Sequence, residues 1–165
     1  MVSRYFKFHT IRRGTRAGVA TYAAAYRAGD TLLDERTGNL YKYAWRQDVR
    51  HAEIVLPDRF SQDEEFWARD RSALWNAAEH AEHQRNARVA REYTVVLPKQ
   101  LTHQQCVKLS RAFARSVSNR FSVAVDFAIH EPRPGRSTNH HAHFLSTTRE
   151  ITSNGLVRCS PRIVR

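Results

Sequence analysis

The chain has 165 residues, of which 27 are Lys or Arg and 16 are Asp or Glu, giving a formal net charge of +11. This length suits a single domain that can bury a core, and the excess of positive charge favours a polyanionic partner, with nucleic acid the first candidate. No run of roughly 18 apolar residues occurs, so we expect no membrane span, and the N-terminal residues show no apolar signal segment. The two cysteines, Cys106 and Cys159, form neither a disulfide framework nor a CxxC metal pair, which favours a reducing cytoplasm.

Predicted elements in the first half of the chain begin with a strand over 4–11, which is rich in aromatic and apolar residues. An alanine-rich helix is predicted over 19–28, and Tyr22 and Tyr26, four residues apart, share its face. Residues 32–43 have the pattern of a hairpin that turns at a polar, Gly-containing segment.

A strand over 51–56 and a second helix follow. The segment 61–64 (SQDE) fits a capping box, and apolar residues then recur at helical spacing to about His83. Trp67 and Trp75 belong to that pattern, which favours a packed core over a surface that stacks on bases.

The second half of the chain continues with a β-branched strand over 91–97 and a third helix that Thr102 opens. The predicted buried residues of this helix are Cys106, Leu109, Phe113 and Val117. Two further strands, over 123–130 and 141–145, precede a tail of short strand or loop. This order predicts an α+β fold, with a mainly antiparallel five-stranded sheet, helices packed on one face and the functional site on the other.

The segment 138–145 (TNHHAHFL) contains three of the nine histidines within four residues. On a strand, residues two apart share a face with Cα atoms roughly 6.5 Å apart, so His141 and His143 can reach one ion. The preceding strand alternates bulky apolar residues with others and ends at His130. If the two strands pair antiparallel, His130 joins them, and the three histidines predict a metal site. The alternative for each histidine taken alone is a structural or solvated side chain.

Imidazole ligands suit Mn²⁺, Zn²⁺, Co²⁺ or Ni²⁺ better than Mg²⁺. Such an ion could polarise a phosphodiester oxygen, leaving a nucleophile to be found, either water or a side-chain hydroxyl. Tyr26, beside Arg27 in the alanine-rich helix, is a candidate, although a core or surface role is the plainer interpretation. Glu92 alternates onto the predicted histidine face as a carboxylate that could orient a ligand, with Glu53 the weaker candidate. The alternative for both is an exposed carboxylate at a sheet edge.

The sequence resembles the MobA/MobL family of conjugative relaxases, members of the HUH endonuclease superfamily, over nearly its whole length. The matching segments are 23–29 (AAAYRAG), 34–38 (DERTG), 53–57 (EIVLP), 74–76 (LWN), 90–92 (ARE), 97–98 (LP), 126–130 (DFAIH), and Asn139 with 141–143 (HAH). Each segment alone is weak, but their order and spacing together are specific.

The resemblance implies a nickase that cuts one strand of plasmid DNA at an origin of transfer. Tyr26 matches the nucleophile, which becomes linked to the 5′-phosphate and releases a 3′-hydroxyl; His130, His141 and His143 match the metal ligands; and Glu92 matches an acidic residue near them. The implied ion is Mg²⁺ or Mn²⁺, of which Mn²⁺ better suits imidazole. Arg27 and Arg91 are candidate DNA contacts.

The resemblance also implies partners: single-stranded or hairpin DNA of the origin, accessory relaxosome proteins and the coupling protein of a type IV secretion system. We expect residues 1–165 to form one monomeric relaxase domain in the bacterial cytoplasm, as the N-terminal part of a longer protein. His140 departs from the family pattern, where proline is common. A fourth metal ligand, a phosphate contact and a bystander are the alternatives for it, of which we favour the bystander. Two alternatives are a rolling-circle replication initiator, in which the tyrosine follows the histidines, and a non-catalytic basic DNA-binding module.

Overall fold

The structure is a computed structural model that describes residues 6–13, 19–132 and 140–159. Of residues 158 and 159 it describes the backbone alone. The elements are, in chain order, β1 (Phe6–Arg12), α1 (Ala20–Ala28), β2 (Thr31–Asp34), β3 (Asn39–Lys42), β4 (Val49–Val55), α2 (Arg71–His80), β5 (Arg88–Val96), α3 (His103–Phe121), β6 (Val125–His130), β7 (His141–Thr147), β8 (Arg149–Thr152) and β9 (Gly155–Cys159), with short 3₁₀ turns at Asp58–Phe60 and Trp67–Arg69. The predicted loop near 15–17, the loop over 133–139 with Asn139, and the tail beyond 159 lie outside the described residues.

A five-stranded sheet in the order β1-β5-β7-β6-β4 forms the centre of the described fold, and every neighbouring pair in it is antiparallel. The predicted α+β class and antiparallel sheet are therefore confirmed. Strands β6 and β7, the two that carry the candidate metal ligands, are direct neighbours inside the sheet.

One face of the sheet packs on α3. Phe127, Ile129 and Phe144 point to this side and form a buried cluster with Cys106 and Val117 of the helix. The helix begins with the predicted capping box of Thr102 and Gln105. The predicted set of buried residues of this helix is wrong at Leu109, which is 49% exposed, whereas its neighbour Ser110 is buried.

Helices α1 and α2 cover the opposite face, which is also the histidine face, so the prediction that all helices share one face away from the site is wrong. The reason lies in β6, where Asp126 alternates onto this face and accepts hydrogen bonds from Arg71 and Trp75 of α2 at 2.8 to 3.1 Å. Fully buried alanines such as Ala24 let α1 approach closely.

Helix α2 begins at Arg71, with the Asp70 side chain accepting a hydrogen bond from Ala73 N at 2.7 Å. The capping box predicted at 61–64 is therefore not the start of the helix, because that segment lies between the two 3₁₀ turns. Trp75 is wholly buried, as the core interpretation required.

The predicted hairpin is confirmed as β2 and β3. Its turn is closed by Asp34, whose side chain accepts hydrogen bonds from Arg36 N at 3.1 Å and from the Thr37 hydroxyl at 2.5 Å. The buried Asn76 fastens the hairpin to α2 by accepting from Glu35 N at 3.0 Å and donating to Leu33 O at 2.9 Å. The family-like segments 34–38 and 74–76 thus fix the hairpin in place beside α1.

Within the described part of the chain, no helix is both long enough and apolar enough to cross a membrane.

Candidate active site

The three candidate metal ligands lie on one face of the paired strands β6 and β7. His130 pairs directly with His141 across the strands, and His143 pairs with Ala128, one step further along the same face. The ring centroids of His130 and His143 are 4.7 Å apart. The structure thus brings together the histidines that the sequence singled out, while His140 lies just before β7 with its carbonyl accepting a hydrogen bond from Leu97 N.

Glu92 lies behind this group on β5, and its side chain is fully buried. Its Oε1 accepts hydrogen bonds from His143 Nδ1 at 2.9 Å and from Arg27 Nε at 2.6 Å, and its Oε2 accepts one from Arg27 Nη2 at 3.0 Å. His9 of β1 also reaches Oε2, at 2.7 Å. The carboxylate therefore joins the β1 edge, the end of α1 and the histidine strand.

The charges of these groups follow from their surroundings. Burial alone would raise the pKa of Glu92, but the hydrogen bonds from His143 and Arg27 outweigh it and hold the pKa at about 2. Burial lowers the pKa of His130 to about 4, with help from the neighbouring His143. Burial likewise lowers the pKa values of His141 and His143. The site therefore contains three neutral imidazoles beside one ionised carboxylate.

Neutral imidazole is the form that binds a metal ion. Because His143 uses Nδ1–H to donate to Glu92, its Nε2 keeps a lone pair, and a carboxylate placed in this way orients a histidine ligand. The donor chemistry thus fits a divalent ion held by His130, His141 and His143. Among the described residues, however, no group of three or more His, Cys, Asp or Glu side chains has its donor atoms arranged to hold a metal ion. His130 Nε2 instead lies 2.6 Å from the carbonyl oxygen of Arg27.

That contact joins the histidines to the C-terminal turn of α1, which carries Tyr26. The helix starts where the buried Glu79 accepts a hydrogen bond from Ala20 N at 2.5 Å. It ends at Gly29, which has a positive φ of 65° and whose replacement by a residue with a Cβ would place that atom 3.1 Å from Val49 Cγ2. Both ends of the helix are therefore fixed, which holds the Tyr26 turn beside His130.

Arg46 packs directly on the candidate nucleophile. Its guanidinium carbon lies 4.2 Å from the centre of the Tyr26 ring, and its Nη1 donates to the Tyr26 carbonyl oxygen. Asp48 holds the guanidinium from the other side by accepting from its Nε at 2.9 Å. Tyr22 stacks on Tyr26 with ring centres 6.2 Å apart, and Tyr43 meets Tyr26 edge-on at 5.1 Å.

Some of these residues were not found from the sequence. Alternation along β1 places Phe6 and Phe8 on one face of the sheet and His9 on the other, so the sequence could predict the face of His9. It could not predict that His9 contacts Glu92. Arg46 lies in the irregular segment between β3 and β4, which has no periodic pattern. Arg91 is on the face opposite to Glu92, so the structure does not bring it to the histidines.

Comparisons with known proteins identify the family to which the chain belongs. The sequence matches the MobA/MobL family over residues 18–162. That match spans most of the chain.

The chain belongs to the MobA/MobL family.

Two relatives in this family are the mobilization protein MobL of Acidithiobacillus ferridurans, 41% identical over 115 residues, and the probable mobilization protein MobA of Bifidobacterium longum, 34% identical over 132 residues. These matches cover 69% and 80% of the chain but only 28% and 22% of the two relatives. A probable conjugal transfer protein TraA of Sinorhizobium fredii is 29% identical over 161 residues, which is 14% of its length.

A solved structure, described as the molecular basis of vancomycin resistance transfer in Staphylococcus aureus, has the same fold with a TM-score of 0.79 and 27% identity. The likeness covers 98% of this chain and 76% of that one. The MobA/MobL chain described here corresponds to a minor part of the length of the curated relatives that it matches.

Proposed function

We propose that this MobA/MobL chain is a metal-dependent DNA relaxase domain of the HUH type, which nicks one strand at a plasmid origin of transfer. Tyr26 Oη attacks the scissile phosphate, and the bond between phosphorus and the 3′ oxygen breaks as the Tyr26–phosphate bond forms. The released 3′ oxygen takes up a proton, and reversal of the same step rejoins the strand. The observation that carries the proposal is the hydrogen bond between His130 and the Arg27 carbonyl, since it sets the Tyr26 turn against the histidines.

A divalent ion, Mn²⁺ or Mg²⁺, held by His130, His141 and His143 would supply positive charge to a non-bridging oxygen of the scissile phosphate. Glu92 positions His143 by accepting its Nδ1–H, and it remains ionised to do so.

The residues around Tyr26 prepare it for attack. A tyrosine hydroxyl must lose its proton in this reaction, and a cation over the ring face stabilises the negative charge that develops. The Arg46 guanidinium occupies that position, and its hydrogen bond to the Tyr26 carbonyl keeps the helix turn in place. Arg27 binds Glu92 through two hydrogen bonds, so its first role is to position that carboxylate. Direct DNA contacts of Arg27 and Arg91 stay predictions.

The names of the relatives support a role in conjugation or plasmid mobilisation over the initiation of rolling-circle replication. The order of residues does too, because Tyr26 precedes the histidines. A purely electrostatic DNA-binding module would not need a buried carboxylate aimed at a histidine, whereas a metal site does. We propose that the protein acts in the bacterial cytoplasm on single-stranded or hairpin origin DNA, together with accessory relaxosome proteins and the coupling protein of a type IV secretion system.

The test is a covalent adduct assay with Mn²⁺ and a panel of single-stranded transfer-origin oligonucleotides. The wild-type chain should form a denaturant-resistant protein–DNA adduct, chelation with EDTA should abolish it, and Tyr26→Phe should not form it. Tyr22→Phe is the matched control, because Tyr22 is half-buried on the same helix face one turn earlier. An adduct that survives Tyr26→Phe but not Tyr22→Phe would overturn the assignment of the nucleophile.

A further inference from the structure

Trp45 is the most exposed of the large hydrophobic side chains in the described ranges. It is 69% exposed, whereas Trp75 is fully buried and Trp67 is half-buried with its indole N–H bonded to Thr152 O at 2.9 Å. An indole in water forfeits the free energy that burying so large an apolar surface would provide. Neither the core nor the proposed nucleophilic chemistry uses Trp45.

The exposed ring is nevertheless held in place. Its Nε1 donates to Lys42 O at 3.1 Å, and its ring centre lies 6.4 Å from that of Tyr43. Tyr43 is itself fixed, because its N donates to Asp30 O at 2.9 Å and its ring packs on Tyr22 at 5.9 Å. A flat aromatic face, exposed but restrained in orientation, can stack on a planar ligand at little cost in side-chain entropy.

The location of Trp45 ties that ligand to the candidate active site. Tyr43 contacts Trp45 on one side and Tyr26 on the other, so only one aromatic ring separates the indole from the proposed nucleophile. Trp45 also immediately precedes Arg46, which packs on Tyr26. Lys42, which accepts the indole N–H through its backbone, is exposed and adds positive charge beside the ring.

We propose that Trp45 stacks on one base of the single-stranded DNA, at a nucleotide close to the scissile phosphate. The inference rests on the proposed relaxase function and names a residue that binds its substrate. Stacking of this kind tolerates any base, because each base presents a π face. Trp45 would therefore contribute affinity and strand position, while leaving sequence selection to other contacts.

The test measures binding of single-stranded transfer-origin DNA by fluorescence and by competition. Trp45→Ala should weaken binding about 5- to 150-fold, the range expected for loss of one base–aromatic stack, and Trp45→Phe should keep most of the affinity. Leu40→Ala is the matched control, since Leu40 is a half-exposed apolar residue on the adjacent β3, and it should bind as the wild type does. Unchanged thermal midpoints establish that the variants fold.

An abasic scan of the oligonucleotide then locates the stacked base. With the wild type, one abasic position near the nick should weaken binding, and that penalty should vanish in Trp45→Ala. Bound DNA should quench the wild-type tryptophan fluorescence, and the quenching should be lost in Trp45→Phe, which retains Trp67 and Trp75.

Two outcomes separate this inference from the proposed function. If Trp45→Ala binds DNA as tightly as Leu40→Ala while the wild type forms the Tyr26 adduct, stacking by Trp45 is refuted and the relaxase function stands. If the abasic penalty depends on Trp45 but no origin strand gives an adduct, the stacking contact is supported and the nickase proposal fails.

Discussion

Glu92→Gln is the perturbation that most clearly tests the electrostatic organisation of the site. The substitution keeps the shape of the side chain but removes the charge from a fully buried carboxylate. Arg27 would lose an anionic partner that it binds through two hydrogen bonds of 2.6 and 3.0 Å. His143 and His9, at 2.9 and 2.7 Å, would lose the same acceptor charge.

The expected cost follows from burial. Breaking a buried ion pair by neutralising one partner costs about 3–5 kcal/mol, because the other charge is left uncompensated. The Arg27 side chain is 21% exposed and can recover some hydration, so we expect a loss of unfolding free energy near the lower end, about 3 kcal/mol. Loss of a carboxylate that orients a histidine ligand should also weaken Mn²⁺ binding about 10- to 100-fold.

Glu53→Gln provides the matched control. Glu53 makes the same two-pronged pair, with Arg111 at 2.7 Å for both hydrogen bonds, but its side chain is 25% exposed and that of Arg111 is 50% exposed. Such a pair contributes up to about 1 kcal/mol. Urea denaturation of the metal-free variants and calorimetric titration with Mn²⁺ measure both quantities. Equal losses of stability in Glu92→Gln and Glu53→Gln, with unchanged Mn²⁺ affinity, would show that the Glu92 charge neither stabilises the fold through its burial nor orients a metal ligand.

Three other predictions concern the anchored hairpin, acid stability and the division between binding and cutting. Asn76→Ala should reduce the unfolding free energy by about 2 kcal/mol, because it removes the hydrogen bonds that this buried side chain makes to Glu35 N and Leu33 O, and hydrogen exchange should speed up in the β2–β3 hairpin; unchanged exchange would contradict this. The pKa of Glu92 is about 2 in the fold against an ordinary 4.5, so the stabilising effect of its charge is complete above about pH 4.5 and is lost as the pH falls towards 2. In urea titrations of the metal-free proteins, Glu92→Gln should therefore lose less stability across that pH interval than the wild type. His141→Ala and His143→Ala should abolish Mn²⁺-dependent cleavage but keep most of the DNA affinity. That affinity should fall steeply with salt concentration, because contacts with the DNA phosphates provide it. Equal loss of binding and cleavage, or a DNA affinity that does not depend on salt, would count against this division.

Much of the sheet could be predicted because strand alternation is a local property. The apolar residues at every second position from Val125 to Ile129 identify both the strand and the face that packs on α3, and the spacing of His141 and His143 identifies the face that carries these histidines. The antiparallel pairing of these two strands, predicted because a Pro- and Gly-containing segment joins them, is confirmed, and it places His130 opposite His141.

Placement of the helices depends on contacts that no local pattern reveals. Helix α2 lies on the histidine face because Asp126 pairs there with Arg71 and Trp75, residues more than fifty positions away in the chain. Likewise, Leu109 fits a helical apolar repeat but is exposed, because α3 turns a different line of side chains towards the sheet.

In the candidate site, too, local patterns predicted some features, while others depend on contacts between residues that are distant in the sequence. Glu92 could be placed by alternation in β5, although the burial that makes its charge matter became apparent only with Arg27 and His143 around it. Arg46 and Trp45 lie in an irregular segment, where neither period nor motif indicates a side-chain direction. Tyr26 could be connected to the histidines only through a family resemblance, since more than a hundred residues separate them.

Localisation of the covalent bond within the adduct identifies the nucleophile. After nuclease digestion and proteolysis of the Mn²⁺-dependent adduct, tandem mass spectrometry can distinguish the two tyrosines in the peptide that holds Tyr22 and Tyr26. We expect a nucleotide joined through its 5′-phosphate to Tyr26, with a free 3′-hydroxyl on the released strand. A phosphodiester on Tyr22, or cleavage that leaves both tyrosines unmodified, would contradict it.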